Sequence, residues 1–142
     1  MTVNDTVKSM MLPVMTVLSF LLVLTGIARG ASGADRHVGP KEAQAMMREN
    51  AGNPQFVVLD VRTPGEFSQG HLEGAVLVDY RSPRFREEMA ARERGNTYLV
   101  YCRTGNRSAG ALGIMKELGF RSYYHLDGGI KRWTEEGLST VR

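Results

Sequence analysis

The chain has 142 residues, of which 42% are hydrophobic and 23% are charged. This composition is typical of a globular protein and excludes a chain that is disordered throughout. The formal net charge is only +3, and acidic residues interrupt the basic ones, as in residues 84–88. We therefore expect no nucleic-acid partner, because no run of basic side chains forms a stripe that follows a phosphate backbone.

Residues 1–34 have the features of an export signal. Lys8 precedes an apolar run over residues 10–27, and small residues dominate residues 28–34, which is the order of regions in a secretory signal peptide. The run is also just long enough for an uncleaved N-terminal membrane anchor. We favour the signal peptide and expect residues 35–142 to be exported, to the periplasm, and to meet a membrane only if the leader stays attached.

From residue 35 onward, strand-like and helix-like segments alternate. The pattern predicts strands at 56–59, 75–78, 98–101 and 122–126. Helices are predicted to begin at Pro40, at Pro64, where Thr63 and Glu66 form a capping box, and at the Ser82–Pro83 pair. A further helix is predicted from about Ser108 to Leu118, and a last one stops at Gly137. Short, continuous apolar runs are typical of parallel strands that are covered on both faces. The alternation predicts an α/β fold, a small three-layer domain with a mainly parallel central sheet flanked by helices.

Cys102 is the only cysteine, and it lies where a predicted strand runs into a predicted helix. Open parallel sheets place their chemistry beyond the carboxyl ends of the strands. Gly105 allows the loop to curl with its N–H groups toward the sulfur, and the next helix adds the partial charge of its N-terminus. Arg103 and Arg107 add permanent positive charge. All these effects favour a thiolate, so we expect Cys102 to be a nucleophile.

The candidate site is therefore the loop that begins at this cysteine. It consists of Cys102 as the catalytic residue and of Arg103, Thr104, Gly105, Asn106, Arg107 and Ser108 as the residues around the substrate. Of these, Arg103 and Arg107 are the natural contacts for an anionic substrate. The alternative for Arg107 is that its side chain turns inward and braces the loop.

The length of this loop separates two kinds of cysteine chemistry. Phosphatases of the tyrosine-phosphatase type have a loop one residue longer, and here Ser108 stands where their spacing needs arginine. A tighter loop fits a single extra sulfur atom better than a phosphate, so phosphatase or arsenate-reductase chemistry is the remote alternative. One cysteine and three dispersed histidines offer no metal-ligand spacing. We therefore expect no metal and no cofactor.

Three further motifs accompany the loop from Cys102 to Arg107. They are Leu59-Asp60-Val61-Arg62 followed by Glu66-Phe67, then Gly70-His71-Leu72-Glu73-Gly74-Ala75, and finally Leu126-Asp127-Gly128-Gly129-Ile130-Lys131-Arg132-Trp133. Together and in this order they resemble the motifs of the single-domain rhodaneses, and the resemblance covers residues 37–142. A carboxylate and an arginine at the end of a strand usually form an ion pair. Asp60 is therefore expected to support the site, while Arg62 is also a candidate for substrate contact.

The resemblance implies a sulfurtransferase that works by double displacement. Cys102 would take a sulfane sulfur from thiosulfate or a persulfide, hold it as a persulfide, and pass it to a thiol or to cyanide. The implied partners are a small-molecule sulfur donor and a thiol acceptor, and a sulfur-accepting protein is compatible with the same chemistry. The alternative is a module that carries sulfur or binds a partner without turnover.

Overall fold

A computed structural model describes residues 36–142, and within this range five strands alternate with five helices. The elements are β1 (Arg36–Val38), α1 (Pro40–Glu49), β2 (Phe56–Asp60), α2 (Pro64–Gln69), β3 (Val76–Leu77), α3 (Phe85–Ala90), β4 (Thr97–Tyr101), α4 (Asn106–Glu117), β5 (Ser122–Leu126) and α5 (Gly129–Glu135). The predicted export segment lies outside the described residues and stays a prediction. Between residues 36 and 142, no helix has both the length and the hydrophobicity that a membrane span requires.

The strands form one sheet in the order β1-β5-β4-β2-β3. Every pair of neighbouring strands is parallel, which confirms the predicted α/β fold. Parallel strands joined through helices bring their carboxyl ends to one edge of the sheet. Since β4 is the central strand, the loop that follows it opens in the middle of that edge.

Helices cover both faces of this sheet and give the predicted three layers. The side chains of β4 alternate, so that Tyr98 and Val100 enter one hydrophobic core and Leu99 and Tyr101 enter the other. The first core also takes apolar side chains from α3 and α4, and the second takes them from α1 and α5. Cys102 continues the alternation into the first core. Its sulfur therefore lies on the face of the sheet that α4 covers.

Two helices begin at residues other than those predicted. The Ser82–Pro83 pair does not open α3 but forms the turn before it, closed by a hydrogen bond of 3.0 Å from Phe85 N–H to the Ser82 carbonyl. Helix α4 begins at Asn106, two residues earlier than Ser108, directly after Gly105 with its left-handed φ of 116°. The loop after β4 is therefore shorter than expected.

The two edge strands show where the sequence signal is weak. Strand β1 was not predicted, because the three residues Arg36–Val38 contain no apolar run; it exists through its parallel pairing with β5. Strand β3 was predicted over residues 75–78, and only Val76 and Leu77 pair with β2. Both edges depend on tertiary partners, whereas the central strands carry their own pattern.

The backbone of α5 holds the first two residues of the loop after β4. The Ile130 N–H donates to the Cys102 carbonyl and the Lys131 N–H donates to the Arg103 carbonyl, and both N–O distances are 3.0 Å. Gly129 has a φ of +59°, and a Cβ atom at this position would lie 2.5 Å from both carbonyl oxygens. Only glycine accommodates both the conformation and the close approach.

Gly129→Ala is expected to destabilise the domain by at least about 2 kcal/mol, because the added Cβ combines backbone strain with overpacking. The matched control is Gly113→Ala within α4, where a Cβ meets nothing within 4 Å. That change is expected to stabilise the helix by up to about 1 kcal/mol. Urea unfolding followed by circular dichroism measures both, and a Gly129→Ala variant as stable as the wild type would contradict the assigned contact.

Candidate active site

Cys102 follows the last residue of the central strand and is only 1% exposed. Its side chain points into the core beneath the loop, and the loop turns back toward α4 at Gly105, whose φ of 116° favours glycine. A thiol so deeply placed loses contact with water, which by itself opposes ionisation. The chemistry of the site therefore depends on the polar groups that the protein supplies to the sulfur.

The loop and the start of α4 supply hydrogen bonds to the sulfur. The Gly105 N–H lies 3.0 Å from Cys102 Sγ, and the hydroxyl of Ser108 lies 3.4 Å from it. Burial raises the pKa of the Cys102 thiol, but hydrogen bonds from the Ser108 hydroxyl and from the N–H groups of Ser108, Gly105 and Thr104 outweigh burial, so that the pKa is lowered overall. The site thus stabilises negative charge on sulfur.

Arg107 does not point at the sulfur. Its guanidinium makes a two-pronged ion pair with Glu66, with Nη1–Oε2 and Nη2–Oε1 distances of 2.7 and 2.8 Å. Glu66 also completes the predicted capping box of α2: its N–H donates to Thr63 Oγ1, and the Thr63 N–H donates to Glu66 Oε2. Of the two positions considered for Arg107, the structure shows the one that braces the loop, and its charge is matched by Glu66.

The other loop side chains point outward. Arg103, Thr104 and Asn106 are exposed. Arg103 borders an open cavity of about 550 Å³, which Arg62 and Lys131 also line. An unmatched guanidinium at the rim of such a cavity attracts anions. Arg103 is therefore the better placed of the two loop arginines for contact with an anionic substrate.

Asp60 and Arg62 form the buried ion pair that the sequence indicated. The Arg62 guanidinium donates to both carboxylate oxygens of Asp60, with a shortest distance of 2.6 Å, and also to the Gly70 carbonyl at 2.8 Å. Asp60 is fully buried and Arg62 is 5% exposed. This pair ties the end of β2 to the residue after α2. Arg62 also lines the cavity, so the support role of Asp60 and the substrate contact of Arg62 both stay predictions.

Ser108 is fully buried, so its hydroxyl faces the interior and not the solvent. Besides the sulfur, it has two close neighbours: the Gly105 carbonyl at 3.0 Å and His125 Nε2 at 2.6 Å. Sequence reasoning missed His125. Strand alternation places His125 on the same face of β5 as Tyr123, which belongs to the core under α4, but its contact with Ser108 also requires the register of β5 against β4.

The histidines are less dispersed than their spacing in the sequence indicates. His37, His125 and Asp127 bring donor atoms within 4.8 Å of one another, the arrangement in the described residues that comes nearest to a metal-ligand set. His37 Nδ1 and Asp127 Oδ1 lie 2.7 Å apart, which is a hydrogen bond, and both side chains are exposed. The rings of His37 and His125 meet edge to face at 4.9 Å. We assign this cluster no metal.

Ser108→Ala is expected to move the pH midpoint of Cys102 alkylation upward, because the thiolate loses a hydrogen bond from a buried donor. Iodoacetamide labelling followed by intact mass reports on this thiol alone, since Cys102 is the only cysteine. At pH 7 the rate should fall about tenfold. Ser68→Ala, which removes a hydroxyl bonded to the Gly65 carbonyl on exposed α2, should leave the rate unchanged. Equal rates for both variants would contradict the role of Ser108.

Glu66→Gln is expected to remove an acid-dependent part of the stability. The hydrogen bond from Arg107 is the largest cause that lowers the pKa of Glu66. Burial opposes this shift and the hydrogen bonds from Thr63 add to it, so that the pKa falls from 4.5 to about 2. A carboxyl whose pKa is lower in the folded state stabilises fully above its ordinary pKa and loses this effect as the pH falls through the folded value. Urea unfolding at several pH values between about 5 and 2 should show a shallower loss in Glu66→Gln than in the wild type.

The matched control for this acid series is Glu117→Gln. Glu117 pairs with Arg86 on the surface, where the side chains are 64% and 56% exposed, so the substitution should change the stability little. A Glu66→Gln variant with the acid dependence of the wild type would show that the Arg107 pair does not stabilise the loop.

Comparison with known proteins places these features in one family. The model of the family described as Rhodanese-like domain matches residues 40–136 of the chain. Thiosulfate sulfurtransferase 16, chloroplastic, of Arabidopsis thaliana is 36% identical over 92 residues, which are 58% of this chain and 77% of that protein. The tRNA uridine(34) hydroxylase of Chlamydia felis is 33% identical over 115 residues, which are 77% of this chain and 34% of that protein.

A solved structure shows the same fold. The crystal structure of a rhodanese-related protein from Thermoplasma volcanium superposes with a TM-score of 0.62 at 32% identity, covering 75% of this chain and 97% of that one. Other curated relatives are longer, and the matches span 55% and 21% of the length of two of them. The family match extends from the start of α1 to the end of α5 and includes the Cys102 loop. The chain belongs to the rhodanese-like domain family.

Proposed function

We propose that this domain is a sulfurtransferase that moves a sulfane sulfur through a persulfide on Cys102. The observation that carries the proposal is the pair of hydrogen bonds that Cys102 Sγ accepts from Gly105 and Ser108 at the end of the central strand. They favour a thiolate, which is the form that attacks another sulfur. The name of the Arabidopsis thaliana relative, a thiosulfate sulfurtransferase, supports the same chemistry.

The proposed reaction has two displacements. The Cys102 thiolate attacks the outer sulfur of thiosulfate, the sulfur–sulfur bond of the donor breaks, and sulfite leaves with the bonding electron pair. The cysteine then carries one additional sulfur as a persulfide anion. A thiolate or cyanide attacks that outer sulfur, the new sulfur–sulfur bond breaks, and the Cys102 thiolate is regenerated. Inward-facing N–H groups of the loop stabilise negative charge on sulfur in both steps.

The donor approaches as an anion in this proposal. Arg103 is exposed at the cavity beside the loop, whereas Arg107 is held by Glu66. A sulfonate-like group bound by Arg103 would leave the backbone of the loop to interact with the transferred sulfur. The charge that attracts the donor and the groups that stabilise the reacting sulfur are then separate parts of the site.

The same ion pair disfavours the phosphatase alternative. Position 108, where the phosphatase spacing requires arginine, holds Ser108, and the neighbouring Arg107 guanidinium is engaged at Nη1 and Nη2 by Glu66. Breaking a two-pronged, partly buried pair costs more than an exposed one. The alternative of a sulfur-carrying or partner-binding module uses the same Cys102 persulfide, and it differs only in whether small molecules turn over.

The deciding measurement is the intact mass of the purified full-length protein before and after thiosulfate, with Cys102→Ser as the matched control. We expect the wild type alone to gain the mass of one sulfur atom, and cyanide to remove it, because the persulfide sulfur is open to a second nucleophile. Release of thiocyanate over many cycles would show turnover, and a single loading without turnover would favour the carrier module.

No gain of sulfur from thiosulfate or from small persulfides would make the proposal wrong. Hydrolysis of p-nitrophenyl phosphate that is lost in Cys102→Ser would support the phosphatase alternative instead. Both assays use the same pair of proteins, and iodoacetamide labelling of Cys102, the only cysteine, shows independently that the thiol of the wild-type preparation is intact.

A further inference from the structure

The Ser108 hydroxyl has one hydrogen and three neighbours within hydrogen-bonding range. They are His125 Nε2 at 2.6 Å, the Gly105 carbonyl at 3.0 Å and Cys102 Sγ at 3.4 Å. The carbonyl only accepts, and a thiolate also only accepts. The imidazole nitrogen either donates or accepts, depending on where its proton lies. The protonation of Nε2 therefore decides which way the hydroxyl hydrogen points.

If Nε2 carried no proton, it would be the nearest acceptor and would draw the hydroxyl hydrogen away from the sulfur. If Nε2 carries a proton, it donates to Ser108 Oγ, and the hydroxyl hydrogen is left for Cys102 Sγ or the carbonyl of Gly105. Only the second arrangement lets Ser108 stabilise a negatively charged sulfur. The close N–O distance of 2.6 Å fits a strong hydrogen bond between these two groups.

We infer that His125 is a positioning residue, which donates its Nε2–H to Ser108 and thereby directs the Ser108 hydroxyl to the sulfur of Cys102. The inference deepens the proposed function, on which its importance for sulfur transfer rests, by adding a residue that acts on the nucleophile through a second side chain.

The fold holds His125 in place for this role. It lies on β5 opposite Val100 of β4, and it is 6% exposed. Its ring also packs beside Gly105, where a Cβ would lie 3.6 Å from Cε1. Two titratable side chains lie close to His125. Cys102 is reached by way of the Ser108 hydroxyl. On the other side, the His37 ring meets the His125 ring edge to face, and His37 Nδ1 bonds to Asp127.

The test measures the ionisation of Cys102 and needs no sulfur transfer. The ultraviolet absorbance of the thiolate is followed against pH in the full-length protein, and the curve of Cys102→Ser is subtracted to remove the tyrosines. His125→Leu removes the donor, and we expect the midpoint to rise by about one pH unit. His125→Gln places an amide N–H near the position of Nε2 and should return the midpoint to within about 0.3 unit of the wild type.

His37→Leu is the matched control, because it removes the neighbouring imidazole without touching Ser108. It should leave the midpoint unchanged. In addition, Ser108→Ala combined with His125→Leu should shift the midpoint no further than Ser108→Ala alone, since both act through one hydroxyl. If His125→Leu does not fold, His125→Asn replaces it, because the shorter amide does not reach Ser108.

Three results would overturn the inference. They are an unchanged midpoint in a folded His125→Leu or His125→Asn variant, a shift in His125→Gln as large as in these variants, and equal shifts for His37→Leu and His125→Leu. Loss of stability with an unchanged midpoint would show a packing role only. Because the titration does not depend on a sulfur donor, these results are distinct from failure of the mass experiment, which tests persulfide formation.

Discussion

A buried sulfur carries a negative charge only if the protein replaces the hydrogen bonds of water, and this requirement organises the centre of the domain. The Gly105 N–H and the Ser108 hydroxyl supply the replacement at 3.0 and 3.4 Å. For the N–H to face inward, the loop must turn at a left-handed residue, and for the hydroxyl to reach the sulfur, α4 must begin close behind it. The short connection between β4 and α4 follows from these two conditions.

The loop is held from two sides by parts of the chain that are distant in sequence. On one side, the N–H groups of Ile130 and Lys131 donate to the carbonyls of Cys102 and Arg103, so that these two carbonyls point toward α5 and the Gly105 N–H is left for the sulfur. On the other side, Arg107 is fastened to Glu66 at the start of α2. Such fixed donors stabilise developing charge without reorganising during the reaction.

The sequence predicts those features that are encoded locally. The central strands have continuous apolar runs, the start of α2 has its capping box at Thr63 and Glu66, and Cys102 stands at the end of a strand before a glycine-containing loop. Features that depend on tertiary pairing were not predictable. Strand β1 has no sequence pattern of its own and forms by pairing with β5. Whether Arg107 contacts the substrate or braces the loop depends on the position of Glu66 in α2, and the contact of His125 depends on the register of β5 against β4.

The outward orientation of Arg103, Thr104 and Asn106 has a consequence for how such a site diversifies. The hydrogen bonds to the sulfur come from backbone N–H groups and from one buried hydroxyl, and none of them comes from these three exposed side chains. Evolution can therefore exchange the side chains at the loop surface, and with them the molecules that are admitted, while the nucleophile retains its strength. In the proposed sulfurtransferase, the choice of donor and the stabilisation of the sulfur are then determined by different parts of the same loop.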